Sequence, residues 1–209
     1  MKTKIFFSAL LLITLTFANQ ALAQVELGLR HGVAASTFSA KGNLADNDKV
    51  TFSYTSGMFL TLPVSNSFAL QPELNYLKKG RSNETTALGT TTQTDFRVNY
   101  LQIPLQLQYR NNQISKSGNT AFYFQTGPYA AFALENERRV KSGRTSEIVV
   151  SEDDTKTDWG IAFGLGVQFP VVERNVRFDL KYDLGLSEIG GQPDDFRTKC
   201  LSLTVGVVL

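Results

Sequence analysis

The chain has one cysteine, one histidine and one tryptophan in 209 residues. With Cys200 alone no intrachain disulfide can form, and it reads as a small, semi-polar strand residue rather than a reactive thiol. One histidine, one cysteine and no regularly spaced acids leave no metal-ligand cluster. Long apolar runs are missing as well. Ile5 to Phe17 is too short to span a bilayer; it follows Lys2 and Lys4 and precedes Ala21-Leu22-Ala23. That order describes a secretory signal peptide over residues 1–23, with cleavage before Gln24. No cysteine stands directly after the cleavage site, so a lipoprotein anchor is not expected. After Gln24 no apolar run approaches the length of a membrane-spanning helix. An excess of one charge is also absent. Two of the 21 basic residues sit in the signal, so the rest balance the 19 acidic ones, and a nucleic-acid partner has no electrostatic support. Export without a helical span leaves a soluble periplasmic or secreted protein, or a β-barrel in an outer membrane.

What is present is strict two-residue alternation. Trp159, Ile161, Phe163, Leu165, Val167 and Phe169 alternate with Asp158, Gly160, Ala162, Gly164, Gly166 and Gln168. Val176, Phe178, Leu180, Tyr182, Leu184 and Leu186 alternate with Arg177, Asp179, Lys181, Asp183, Gly185 and Ser187. Successive strand side chains point to opposite faces, so each stretch is a strand with one apolar side. Eight segments carry the pattern: 25–38, 50–64, 68–79, 96–110, 120–135, 157–169, 175–187 and 198–209. Each is longer than the five or six residues usual in soluble sheets and matches the length a tilted strand needs to cross a bilayer. Links at 65–67 and 171–174 are short, and 111–119 is fairly short. Those at 39–49, 80–95, 136–156 and 188–197 are long and polar, with Thr85–Thr94 expected as a loop tip. Short turns on one rim and long loops on the other predict an all-β fold, an eight-stranded antiparallel up-and-down transmembrane β-barrel over residues 24–209.

The second face separates a membrane barrel from a soluble one. In a soluble barrel it would meet water and carry many Lys and Glu. Here it is mostly small or amide residues, such as Gln71, Asn75, Gln102, Gln106 and Gln108, which suit a narrow interior. Its charges have both signs: Glu26, Arg30, Glu73, Asp158, Arg177, Asp179, Lys181 and Asp183. Confined charges need partners, so these eight are expected to form a lumen network of salt bridges and hydrogen bonds. Tyr54, Tyr76, Tyr100, Tyr109, Trp159 and Phe169 are expected at interfacial girdles. Pro72, Pro104 and Pro128 fall inside strands and should coincide with bulges or local breaks.

Chemistry finds little support. His31 falls on the apolar face, near the loop rim by its spacing, with Ser36 opposite; no acid–base pair is assembled, and no catalytic residue, cofactor or metal site is assigned. The acidic run Ser151–Asp154 reads as a solvated loop. Arg138, Arg139, Lys141 and Arg144 could pair with lipopolysaccharide phosphates at the outer rim.

Several phrases then stand out in order: Phe68-Ala69-Leu70-Gln71-Pro72-Glu73-Leu74-Asn75-Tyr76, Asn99-Tyr100-Leu101-Gln102-Ile103-Pro104-Leu105 and Phe122 to Tyr129. Asp158-Trp159-Gly160 and Phe178-Asp179-Leu180-Lys181-Tyr182 follow. Together they resemble the PorT-like, porin-family outer membrane protein β-barrel domain family of the Bacteroidota type, over nearly all of 24–209. The resemblance implies location in the cell outer membrane and the barrel fold, with the proline phrases inside strands. It also admits envelope or secretion-system proteins as partners, as for some relatives. Leu209 departs from the terminal aromatic that barrel-assembly signals usually carry. The leading reading is a monomeric integral barrel in outer-membrane lipid with a structural, binding or envelope-associated role, and no enzyme. The alternatives are a narrow porin-like channel and a soluble periplasmic ligand-binding barrel.

Overall fold

Alternation becomes a closed wall in the computed structural model, which describes residues 25–40, 49–87, 90–111, 120–142, 145–151, 157–187 and 196–209. The proposed signal segment lies outside the described residues. Nine strands are described: β1 (Glu26–Ala40), β2 (Lys49–Pro63), β3 (Phe68–Ala87), β4 (Thr90–Asn111), β5 (Ala121–Ser142), β6 (Thr145–Ser151), β7 (Asp158–Val171), β8 (Arg174–Gly185) and β9 (Phe196–Val208). All pairings are antiparallel. Eight strands close in the order β1-β2-β3-β4-β5-β7-β8-β9, and β9 pairs back on β1. Leu209 N donates to Leu27 O at 2.8 Å, tying the chain end to the first strand. Closure satisfies every wall strand on both sides, as a lipid surround requires of a spanning sheet.

The faces follow the two-residue period. Leu27, Leu29 and Val33 on β1, Phe163 and Leu165 on β7, and Leu201, Leu203 and Val205 on β9 are all exposed. Their inward neighbours are buried polar or small residues. An apolar surface running round the whole barrel far exceeds what a water-soluble monomer exposes. Lipid is its natural solvent. On β9 the outward run Leu201–Leu209 covers about 26 Å along the strand, and tilting lowers that to about 20 Å across the bilayer.

Two expectations change. The segments 80–95 and 136–156 were expected as long loops, yet β3, β4 and β5 outrun the barrel and β6 pairs with the far end of β5, from Asn136↔Ser151 to Ser142↔Thr145. Beyond the level where β7 leaves β5, these strands continue as a four-stranded sheet, β3-β4-β5-β6. Polar residues on both sides hid the strands from a reading built on apolar alternation. Thr85–Thr94 is therefore mostly paired backbone, Thr85↔Thr92 and Thr86↔Thr91, rather than a loop tip. The parts of the other links at 41–48, 112–119 and 188–195 lie outside the described residues.

The prolines disturb the ladder without bulging it. Between Phe59↔Glu73 and Leu62↔Leu70 the β2–β3 pairing lapses at Pro72 while the register is kept. The same lapse occurs at Pro104 in β3–β4 and at Pro128 in β4–β5. Each gap lies where a proline has no N–H to give. The register shifts lie elsewhere, between Val50 and Thr55 and between Asn99 and Tyr100.

Candidate functional site

The inward faces build a polar column along the barrel axis, and its lowest layer is near the start of β1 and the end of β9. Glu26, at the start of β1, receives Arg110 (Nη2–Oε2 3.0 Å), Arg177 (Nη2–Oε2 2.8 Å) and Gln168 (Nε2–Oε1 3.2 Å). Arg177 also donates to Gln168 Oε1 at 2.6 Å and Gln71 Oε1 at 2.9 Å. Its guanidinium lies 4.5 Å from the Phe59 ring centroid and 5.2 Å from that of Tyr123. Such flanking rings offset part of the cost of taking the cation out of water. Tyr123 fits because Gly166 faces it: a Cβ there would come within 2.3 Å of the ring.

Glu73 is the hub of the middle layer. It accepts from Arg30, from Lys181 (2.5 Å), from Gln71 Nε2 (2.7 Å) and from Asn75 Nδ2 (3.1 Å). Asp179 accepts from Tyr123 Oη at 2.6 Å and Gln125 Nε2 at 3.3 Å, and Asp183 from Gln102 Nε2 at 3.0 Å. At the far end Asp158 accepts from Lys79 Nζ (2.8 Å), Thr198 Oγ1 (2.8 Å), Ser187 Oγ (2.5 Å) and Tyr129 Oη (3.3 Å). The Lys79 ammonium also lies 5.5 and 4.9 Å from the Tyr100 and Tyr129 centroids. Val98, Tyr100, Tyr129, Ala131 and Ala162 pack together beside it as a small apolar cluster.

All eight charged residues singled out in the sequence thus face inward, and each makes a side-chain hydrogen bond. Lys79, Arg110, Tyr123, Gln125 and Thr198 complete their bonding and were not named, and Gln168, named only in the alternation of its strand, joins them. Two of them carried a signal: Lys79 shares the parity of Gln71, Glu73 and Asn75, and Arg110 that of Gln106 and Gln108. Tyr100 corrects the girdle assignment. It shares the parity of Gln102, is 1% exposed and sits inside. Tyr54, Tyr109 and Trp159 are exposed on the outer face, with Tyr76 and Phe169 half-buried.

His31 is also displaced from its expected place. It pairs with Val205, midway along the apolar run Leu201–Leu209, so it lies in mid-wall rather than at the loop rim. Its Nδ1 and Ser56 Oγ are 2.6 Å apart on the lipid side. Among the described residues no group of histidine, cysteine and acids could hold a metal ion. The side chains of Arg138, Arg139 and Lys141, and the whole of Arg144 and Glu152–Asp154, lie outside the described residues.

What the column does mechanically is clear from its span. Glu73 on β3 joins Arg30 on β1 to Lys181 on β8, and Asp158 on β7 joins Lys79 on β3. Opposite walls are cross-braced, and the lumen is filled by side chains.

A family model described as outer membrane protein beta-barrel domain matches residues 17–190. No curated protein matches the chain. Among solved structures it is similar to Ail, the attachment invasion locus protein of Yersinia pestis, in complex with the heparin analogue sucrose octasulfate. That match has 17% identity and a TM-score of 0.45, and covers 88% of this chain and 99% of that one. It is similar to Neisserial surface protein A at 14% identity, with 88% and 97% covered and a TM-score of 0.47. It is also similar to OprG from Pseudomonas aeruginosa at 14% identity, with 88% and 92% covered and a TM-score of 0.45.

Proposed function

This chain belongs to the outer membrane protein beta-barrel domain family, and from that premise we propose that it is a non-conducting barrel acting through what it presents outside the bilayer. The single observation carrying the proposal is the filled lumen. Arg177, Tyr100, Phe59, Lys79, Gln71, Gln106, Gln108 and Gln125 are all less than 2% exposed inside it. An eight-stranded barrel is just wide enough for side chains to fill, and here cross-barrel ion pairs occupy that width. Moving an ion through would require several buried pairs to break at once, each at a cost of about 3–5 kcal/mol.

The binding role is supported by the sheet that β3, β4, β5 and β6 continue beyond the wall. Loops and projecting elements on a rigid scaffold are the usual carriers of recognition. In this reading residues 1–23 direct export and are removed. The barrel works as a monomer of the PorT-like subtype in outer-membrane lipid. The basic residues at 138–144 meet lipopolysaccharide phosphates, and envelope or secretion-system proteins are the partners. Purified protein in planar bilayers tests the reading. No discrete current steps are expected at any applied voltage; stable single-channel steps would replace it with the narrow-channel alternative.

A further inference from the structure

We infer that a cavity in the middle of the column is a built hydration site, holding an ordered water bound by Arg30 and Thr204. The cavity has a volume of about 20 Å³, counted as space for the centre of a water molecule. About 10–15 Å³ is enough for one water. Its lining includes Arg30, Thr204, Glu73, Lys181, Asp183 and Gln102.

Two residues of that lining each carry a buried polar atom with no partner among the described residues, Arg30 Nη1 and Thr204 Oγ1. The rest of the Arg30 guanidinium is committed: Nε and Nη2 donate to Asn75 Oδ1 at 3.2 and 2.9 Å, and Nη2 also donates to Glu73. A buried donor left unmade costs about 1–3 kcal/mol, and more when it belongs to a charged group. Leu77, Pro104 and Ala162 share the wall, but two such residues on one cavity of water size mark an occupied position rather than a void, since cavities that stay empty are apolar throughout.

Charge decides which occupant fits. Arg30 and Lys181 are matched on the cavity wall by Glu73 and Asp183. A neutral wall gives no excess field to hold a chloride or a cation against its hydration. It does suit water, which accepts from Arg30 Nη1, exchanges a hydrogen bond with Thr204 Oγ1 and can donate to a carboxylate oxygen. A conducting barrel could hold the same water, so failure here and failure of the non-conducting reading are separable.

Thr204→Val tests the site because its sign depends on occupancy. The two side chains have nearly the same shape. If the cavity is dry, the substitution removes an unsatisfied hydroxyl and raises the unfolding temperature. If water is bound, it removes one of the water's partners, and the midpoint falls by about 2–4 °C. We expect the fall, with Thr204→Ala, which loses the hydroxyl as well as the methyl, falling further than Thr204→Ser, which keeps the hydroxyl, in detergent micelles. An unchanged or raised midpoint in Thr204→Val overturns the inference. Crystals of the wild-type protein grown in bromide give a second measurement that needs no variant. Water density within hydrogen-bonding distance of Arg30 Nη1 and Thr204 Oγ1 is expected; an empty cavity or an anomalous bromide peak there overturns it.

Discussion

Leu180→Arg is expected to keep the chain out of the membrane. Leu180 is 46% exposed and points outward between Leu165 on β7 and Leu203 on β9, both also exposed. It lies one outward step from the level of His31 and Val205, the middle of the apolar band. Arginine on a lipid face near the midplane costs about 2–4 kcal/mol, a large share of the marginal stability typical of a domain. The adjoining residue makes the control. Asp179→Asn, on the inward face, keeps the shape and the acceptor for Tyr123, so its effect should be smaller. Folding into lipid vesicles, read by the gel mobility of unheated samples, checks both. Normal folding of Leu180→Arg would mean that the faces are reversed.

Glu73→Gln should be the most damaging substitution inside the barrel. The carboxylate is completely buried and shared by Arg30 and Lys181. Removing its charge leaves two cations facing each other with the hub neutral. Breaking a buried ion pair from one side costs about 3–5 kcal/mol, mainly from the charge left behind. Urea unfolding in micelles should show the loss. Adding Lys181→Gln restores the native net charge of the triad, so the double variant should recover part of the stability. Simple additivity of the two substitutions would show that the residues do not act as one network.

The wall was legible from the sequence because its physics is local. Each strand between the rims must put apolar side chains to lipid and small or polar ones inward, and a two-residue period records that directly. The direction of Leu180, Arg177 and Asp158 follows from parity alone. Tyr100 shows the limit. Its aromatic character suggested an interface, while its parity with Gln102 placed it inside, and parity won because backbone geometry fixes the face. The sheet beyond the rim was hidden for the opposite reason. Above the lipid neither face of β3 or β4 needs to be apolar, so Asn83 to Thr86 and Thr90 to Thr94 look like loop while the backbone ladder continues. The pairing inside the lumen was less accessible still. Glu73 meets Lys181 across 108 positions, and that meeting depends on how closure staggers the strands, a property of the whole sheet.

The sole tryptophan offers the most direct test of the apolar side as the outer wall. Trp159 is 54% exposed on the lipid side of β7, one residue from buried Asp158 at the end of that strand. Fluorescence of the protein in vesicles of brominated phospholipid therefore reports on one known position. Strong quenching by bromines carried near the headgroup, weaker quenching by bromines deep in the acyl chains, and little by aqueous acrylamide is the predicted result. Quenching by acrylamide with none from any brominated lipid would put Trp159 in water and contradict the account.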